Sequence, residues 1–118
     1  MRNPWDRAIS RYYWNIESTG NIESLDESLR RNDPNSNFYI YTVNGKVAVD
    51  YIGKYESLIE DLSYVCDKLG IPFDKWLPMA KATARKDRRH YSQVFTKEQA
   101  EFIRERCTPE IELFGYEF

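Results

Sequence analysis

Arg2 and Ser10 stand eight residues apart in RNPWDRAISRYYW. An arginine is a permanently charged fork of N–H donors, and a serine hydroxyl both donates and accepts. The two together suit the oxygens of a phosphate, with the guanidinium supplying charge-assisted bonds and the hydroxyl a donor from a second direction. The remaining cations concentrate in KATARKDRRHYSQVF, where Lys81, Arg85, Lys86, Arg88 and Arg89 surround a single acid, Asp87. Spacing alone leaves two readings open. One is an anion site assembled from both stretches; the other is a surface arginine ahead of a helix cap and a serine that is solvated or bonded to a preceding carbonyl. His90 adjoins the basic stretch and reads as a solvent-facing histidine rather than a base. Cys66 and Cys107 lack metal-ligand spacing or a histidine partner, so both read as buried free thiols and no metal site is expected.

The elements that must position these groups follow from local pattern. Asn3 as N-cap, Pro4 as first helical residue and Asp6 in the first turn specify a helix start. Trp5, Ala8, Ile9, Tyr12, Tyr13 and Ile16 then form one apolar stripe down to about Glu17. Ser10 would lie two turns along, roughly 10 Å up the axis from Arg2, so only an inward lean of the first turn brings both to one ligand. Ile22, Leu25 and Leu29 suggest a shorter helix that ends before the polar segment 31–36.

Asn44-Gly45 is the pair that best tolerates positive φ in a type I′ turn, so strands are expected near 38–43 and 46–52. Apolar groups on both faces predict a ribbon covered on both sides. After Gly53, Tyr55, Leu58, Ile59, Leu62, Val65, Cys66 and Leu69 make a helical stripe expected to dock on a core. Ser57 with Glu60 would cap that helix, and Gly70 followed by Pro72 would end it. Residues 72–78 read as a loop with Phe73, Trp76 and Leu77 turned inward. Thr96 with Gln99 caps a helix through about Arg106, and Thr108-Pro109 starts a last short one that Gly115 stops.

With 118 residues, 42% hydrophobic and 15% aromatic, the chain is expected to be a single domain, 1–118, with a real core. Its net charge of -2 gives no general attraction to nucleic acid or anionic membrane, so any anion site is local. No run of about 18 apolar residues occurs, and the chain reads as soluble and cytoplasmic.

The stretch RNPWDRAISRYYW resembles the element that binds the 3′-phosphate in sulfotransferases using 3′-phosphoadenosine 5′-phosphosulfate (PAPS), where an arginine and a serine eight positions apart grip that phosphate. VDYIGKYESLIEDLSYVCDKLGIP, Leu77-Pro78, HYSQVFTKEQAEFI and the terminal EIELFGYEF are similar to the C-terminal half of membrane-associated and bacterial carbohydrate-type sulfotransferases. The resemblance implies an α/β fold, part of the P-loop-kinase-like sulfotransferase architecture. It implies PAPS as co-substrate and PAP as product, Arg2 and Ser10 as phosphate ligands, and Arg85, Lys86, Arg88 and Arg89 as contacts to phosphate or adenosine. Arg85-Lys86 is followed by Asp87, where cytosolic members carry an Arg-Lys-Gly triplet. The acceptor implied is a hydroxyl, with carbohydrate the family-based choice.

The 118 residues hold no glycine-rich loop with a lysine for the 5′-phosphosulfate, and no acceptor-activating base upstream of Arg2. No catalytic residue is therefore assigned. This sequence is expected to be the C-terminal portion of such a domain, with Arg2 frayed and the polypeptide inactive alone. The rival reading is a non-catalytic α/β interaction module, to which nine tyrosines and three tryptophans are suited.

Overall fold

The computed structural model describes residues 1–31, 36–78 and 85–118. The predicted position of Lys81 lies outside these residues, as does most of the polar break after Arg31.

Helix α1 spans Pro4–Thr19, and the Asn3 side chain accepts the N–H of Trp5 and of Asp6, so the predicted cap forms. Its stripe delivers Trp5 and Ile9, both with no exposed surface, to the core. Helix α2, Leu25–Arg31, adds Leu29. Ile22 is 93% exposed and takes no part in that helix.

Towards the C-terminus a four-residue helix α4, Tyr91–Val94, leads into α5, Lys97–Arg106, and α6, Thr108–Phe114. Thr96 and Gln99 complete both halves of the predicted capping box. Phe95, Ala100, Ile103, Cys107 and Ile111 close the core against α1 and α2. The Trp5 indole N–H donates to the Ala100 carbonyl at 3.0 Å, which satisfies the one polar atom of the largest buried side chain.

The middle of the chain departs from expectation. Asn44 and Gly45 take φ of 53° and 77°, so the predicted turn forms, but only Thr42–Val43 (β1) and Lys46–Val47 (β2) pair, antiparallel, in one two-stranded sheet. Strands across 38–43 and 46–52 are therefore not made. Both flanks are tethered elsewhere. Ser36 Oγ donates to Glu110 at 2.8 Å and the Asn37 N–H bonds to the same carboxylate, after which Phe38–Ile40 coils into a 3-10 turn. On the other side the chain bends at Val49 and Asp50 and carries Gly53 and Tyr55 to Met1. Nor is the ribbon covered: Val43 is 62% and Val47 47% exposed.

A 3-10 turn at Tyr55–Ser57 precedes helix α3, Leu58–Leu69. The amphipathic stripe is present, yet no residue of α3 is buried, which corrects the expectation of a helix docked on a core. Ser57 makes no capping bond; its hydroxyl donates to Asp61 instead, at 3.1 Å. Gly70 ends the helix at φ 70°, where any side chain would be strained. Trp76, expected inward, is 71% exposed, while Phe73 and Leu77 are half-buried.

The radius of gyration, 15.9 Å, exceeds the roughly 13.5 Å of a compact domain of this length. Helices and one small hairpin thus make a mixed α/β chain, compact at its helical end and open across 38–78. Among the described residues no helix is long and apolar enough to cross a membrane.

Candidate anion-binding site

Residues 2, 6 and 10 repeat every four positions and lie along one face at the start of α1. The Arg2 side chain runs up that face. Its Nε donates to Asp6 Oδ2 at 2.9 Å, and its Nη2 lies 2.7 Å from the same oxygen. Nη2 also donates to Ser10 Oγ at 2.8 Å. Asp6, halfway along, is what bridges the two-turn separation. Arg2 Nη1 has no partner among the described residues, and the Ser10 hydroxyl, an acceptor here, keeps its own proton to donate.

Arg85 completes the cluster from 79 residues away, its Nη1 donating to Asp6 Oδ1 at 2.8 Å. Two guanidiniums share one carboxylate, which leaves the cluster one positive charge in excess. The side chains of Arg2, Asp6 and Arg85 are only 24%, 25% and 14% exposed, so these pairs sit where water screens less than at an open surface. The other donors of Arg85 hold its own loop: Nε reaches the Asp87 carbonyl at 2.8 Å and Nη2 the Arg89 carbonyl at 2.7 Å.

The rest of the basic stretch is distributed differently. Arg89 forks onto Asp87, Nη2 to Oδ2 at 2.6 Å, and holds that carboxyl well below the usual range, at about 2. Lys86 and Arg88 are exposed on the same loop. His90 is exposed as expected, and its Nδ1 lies 2.7 Å from Ser92 Oγ at the start of α4. Of the six predicted ligands, Arg2, Ser10 and Arg85 come together; Lys86, Arg88 and Arg89 line the loop beside them without joining the cluster.

The expectation that Arg2 frays is corrected by its surroundings. The Met1 amino group donates to the Gly53 carbonyl at 2.9 Å, and the Tyr55 N–H donates to the Met1 carbonyl at 2.6 Å. This is the pair of bonds by which one residue straddles a parallel neighbour. The Arg2 guanidinium also lies 4.2 Å above the Tyr55 ring, a favourable cation–aromatic contact.

Sequence reasoning missed two acids. Asp6 was legible only as a first-turn acid, although its four-residue spacing from Arg2 is the signal for an ion pair. Glu110 carried no local signal. It is fully buried, accepting from Ser36 and Asn37 and lying 3.4 Å from Arg7 Nη1, all distant in sequence. Cys107 is buried and in no disulfide, its sulfur accepting from Arg7 Nη2 at 3.6 Å, whereas Cys66 is only half-buried. Among the described residues no group of histidine, cysteine or carboxylate side chains could hold a metal ion.

The chain matches no protein-family profile and no solved structure. It is 41% identical over 78 residues to an uncharacterized protein of Archaeoglobus fulgidus, a stretch covering 60% of this chain and 64% of the archaeal one. The chain thus spans less than two thirds of the length of this relative.

Proposed function

We propose that the Arg2–Ser10–Arg85 cluster binds the 3′-phosphate of PAPS or PAP, and that the chain is the nucleotide-binding C-terminal part of a sulfotransferase acting on an acceptor hydroxyl, carbohydrate by resemblance. The observation that carries this is the 2.8 Å contact between Arg2 Nη2 and Ser10 Oγ, with unshared donors left on both groups. A phosphate oxygen at that junction would take charge-assisted bonds from the fork and a bond from the hydroxyl. The excess positive charge, with Lys86 and Arg88 exposed alongside, suits a dianion. Sulfuryl transfer also needs charge at the leaving phosphate and a base for the acceptor, and the 118 residues offer no assigned group for either.

Thermal unfolding with and without PAP tests the reading. PAP raises Tm in proportion to the logarithm of its concentration over Kd. Arg2→Ala and Ser10→Ala each abolish the shift. No shift at millimolar PAP would remove the nucleotide site from consideration. Acceptor-dependent conversion of PAPS to PAP by the purified 118-residue chain is expected to be undetectable.

A second reading, a non-catalytic interaction module, is favoured by one observation: large apolar side chains crowd the exposed surface between residues 39 and 76. Absence of PAP binding together with self-association or capture of a partner would select it.

A further inference from the structure

We infer that Glu56 is a positioning residue for the anion clamp, fixing the backbone from which Arg2 reaches Ser10; this rests on the phosphate reading above. Asn3 is only 6% exposed and stands outside the first helical turn, so helix geometry supplies no acceptor for its N–H. Its other polar atoms are engaged. The carbonyl accepts the Arg7 N–H at 2.9 Å, Oδ1 caps Trp5 and Asp6, and Nδ2 donates to the Tyr91 hydroxyl at 3.1 Å. The remaining N–H goes to Glu56 Oε1 at 2.5 Å, from a residue 53 positions away. Glu56 Oε2 is held in turn by the Tyr116 hydroxyl at 3.1 Å.

The consequence for Arg2 is geometric. A peptide unit is planar, and the unit between Arg2 and Asn3 contains the Arg2 Cα together with the Asn3 N–H. Pinning that N–H orients the plane and so aims the Arg2 Cα–Cβ bond. The preceding plane, between Met1 and Arg2, is pinned at the Met1 carbonyl by the Tyr55 N–H. One short turn, Tyr55–Ser57, thus sets both planes that flank Arg2 and lays the Tyr55 ring beneath its guanidinium. Of the two backbone pins, the one at Asn3 depends on a side chain. A carboxylate suits it because the N–H sits at the positive end of α1.

Glu56 lies on the exposed side of its turn, outside the core, so its variants fold. PAP affinity of the 118-residue chain, measured by calorimetry, is expected to fall about tenfold in Glu56→Ala, the equivalent of one charge-assisted hydrogen bond. Glu56→Gln keeps an acceptor for Asn3 and should stay within about threefold of the unaltered chain. Affinity unchanged in Glu56→Ala, or reduced as far in Glu56→Gln, would overturn the inference. Amide hydrogen exchange supplies a readout that needs no ligand. In Glu56→Ala the Asn3 N–H should exchange faster while the Trp5 N–H, whose acceptor is the Asn3 side chain, keeps its protection. Equal protection of Asn3 in both chains would also sink the role of Glu56. A chain that binds no PAP but shows the exchange difference would instead remove the phosphate reading and leave Glu56 as an anchor of the helix start.

Discussion

The helical end of the molecule and the stretch from 38 to 78 are written in similarly apolar sequence and reach opposite degrees of burial. Trp5, Ile9, Ile103 and Cys107 have no exposed surface, and among the described residues none of the eight buried core side chains lies between 30 and 94. Among the described residues, thirteen of the sixteen exposed large hydrophobic side chains lie between 39 and 76. Helices α1 and α3 each carry an apolar stripe at helical spacing, so local pattern does not separate them. What separates them is supply. Helix α1 meets α2, α4 and α5, whereas α3 is packed chiefly against the turn that leads into it. An amphipathic stripe is a demand for a partner, and burial follows only where the rest of the chain meets that demand.

The candidate anion site, the Arg2–Asp6–Ser10–Arg85 cluster, sits on the boundary between the two regions. Its side chains come from Arg2 ahead of α1, from α1 itself and from the 85–89 loop, while its support comes from Gly53, Tyr55 and Glu56. The open region is therefore tethered to the helical end at the place where Arg2 must be held.

The comparison breaks first at Trp5. Trp5→Ala empties the centre of the core and should cost about 3–5 kcal/mol, enough to abolish much of a small domain's stability. Urea unfolding followed by circular dichroism measures it; a loss below 1 kcal/mol would mean the helical end is not the folding core.

A change of pH probes the loop that Arg85 latches to α1. Asp87 has its carboxyl depressed to about 2 by hydrogen bonds from Arg89, below the 3.8 of a free aspartate. The unfolded chain takes up this proton first as pH falls. The contribution to stability is accordingly complete above pH 3.8 and lost as pH approaches 2. An NMR titration of the Asp87 carboxyl should give a midpoint near 2, and one near 3.8 would show the loop unformed.

The smallest effect is expected in the open region. Leu69 is 66% exposed at the end of α3, so Leu69→Ser should change stability by no more than about 0.5 kcal/mol. A loss approaching that of Trp5→Ala would show that α3 is covered in solution, and its dependence on protein concentration would tell whether by another copy.

The legible part of this protein is the part governed by neighbours in sequence. Asn3 and Pro4 start a helix, Thr96 and Gln99 cap another, and Asn44-Gly45 reverses the chain, because each of these acts through groups within a few residues. The eight-residue interval between Arg2 and Ser10 belongs here too, since the intervening Asp6 lies on the same helical face. Other features needed the whole chain. The apolar runs on either side of Asn44-Gly45 read as strands near 38–43 and 46–52, yet bonds from Ser36 and Asn37 to Glu110 and from Met1 to Gly53 take those segments elsewhere.

By itself the sequence determined where α1 and α5 begin, where α3 and α6 stop and where the hairpin turns, and it put forward the residues of the candidate anion site. Only the tertiary structure decided that Arg85 would reach Asp6 across 79 positions, that Glu110 would be buried among Ser36, Asn37 and Arg7, and that α3 would stay open. The reason is physical: caps and turns are settled by bonds within a few residues, whereas burial and long-range ion pairs depend on which surfaces the folded chain has left to offer.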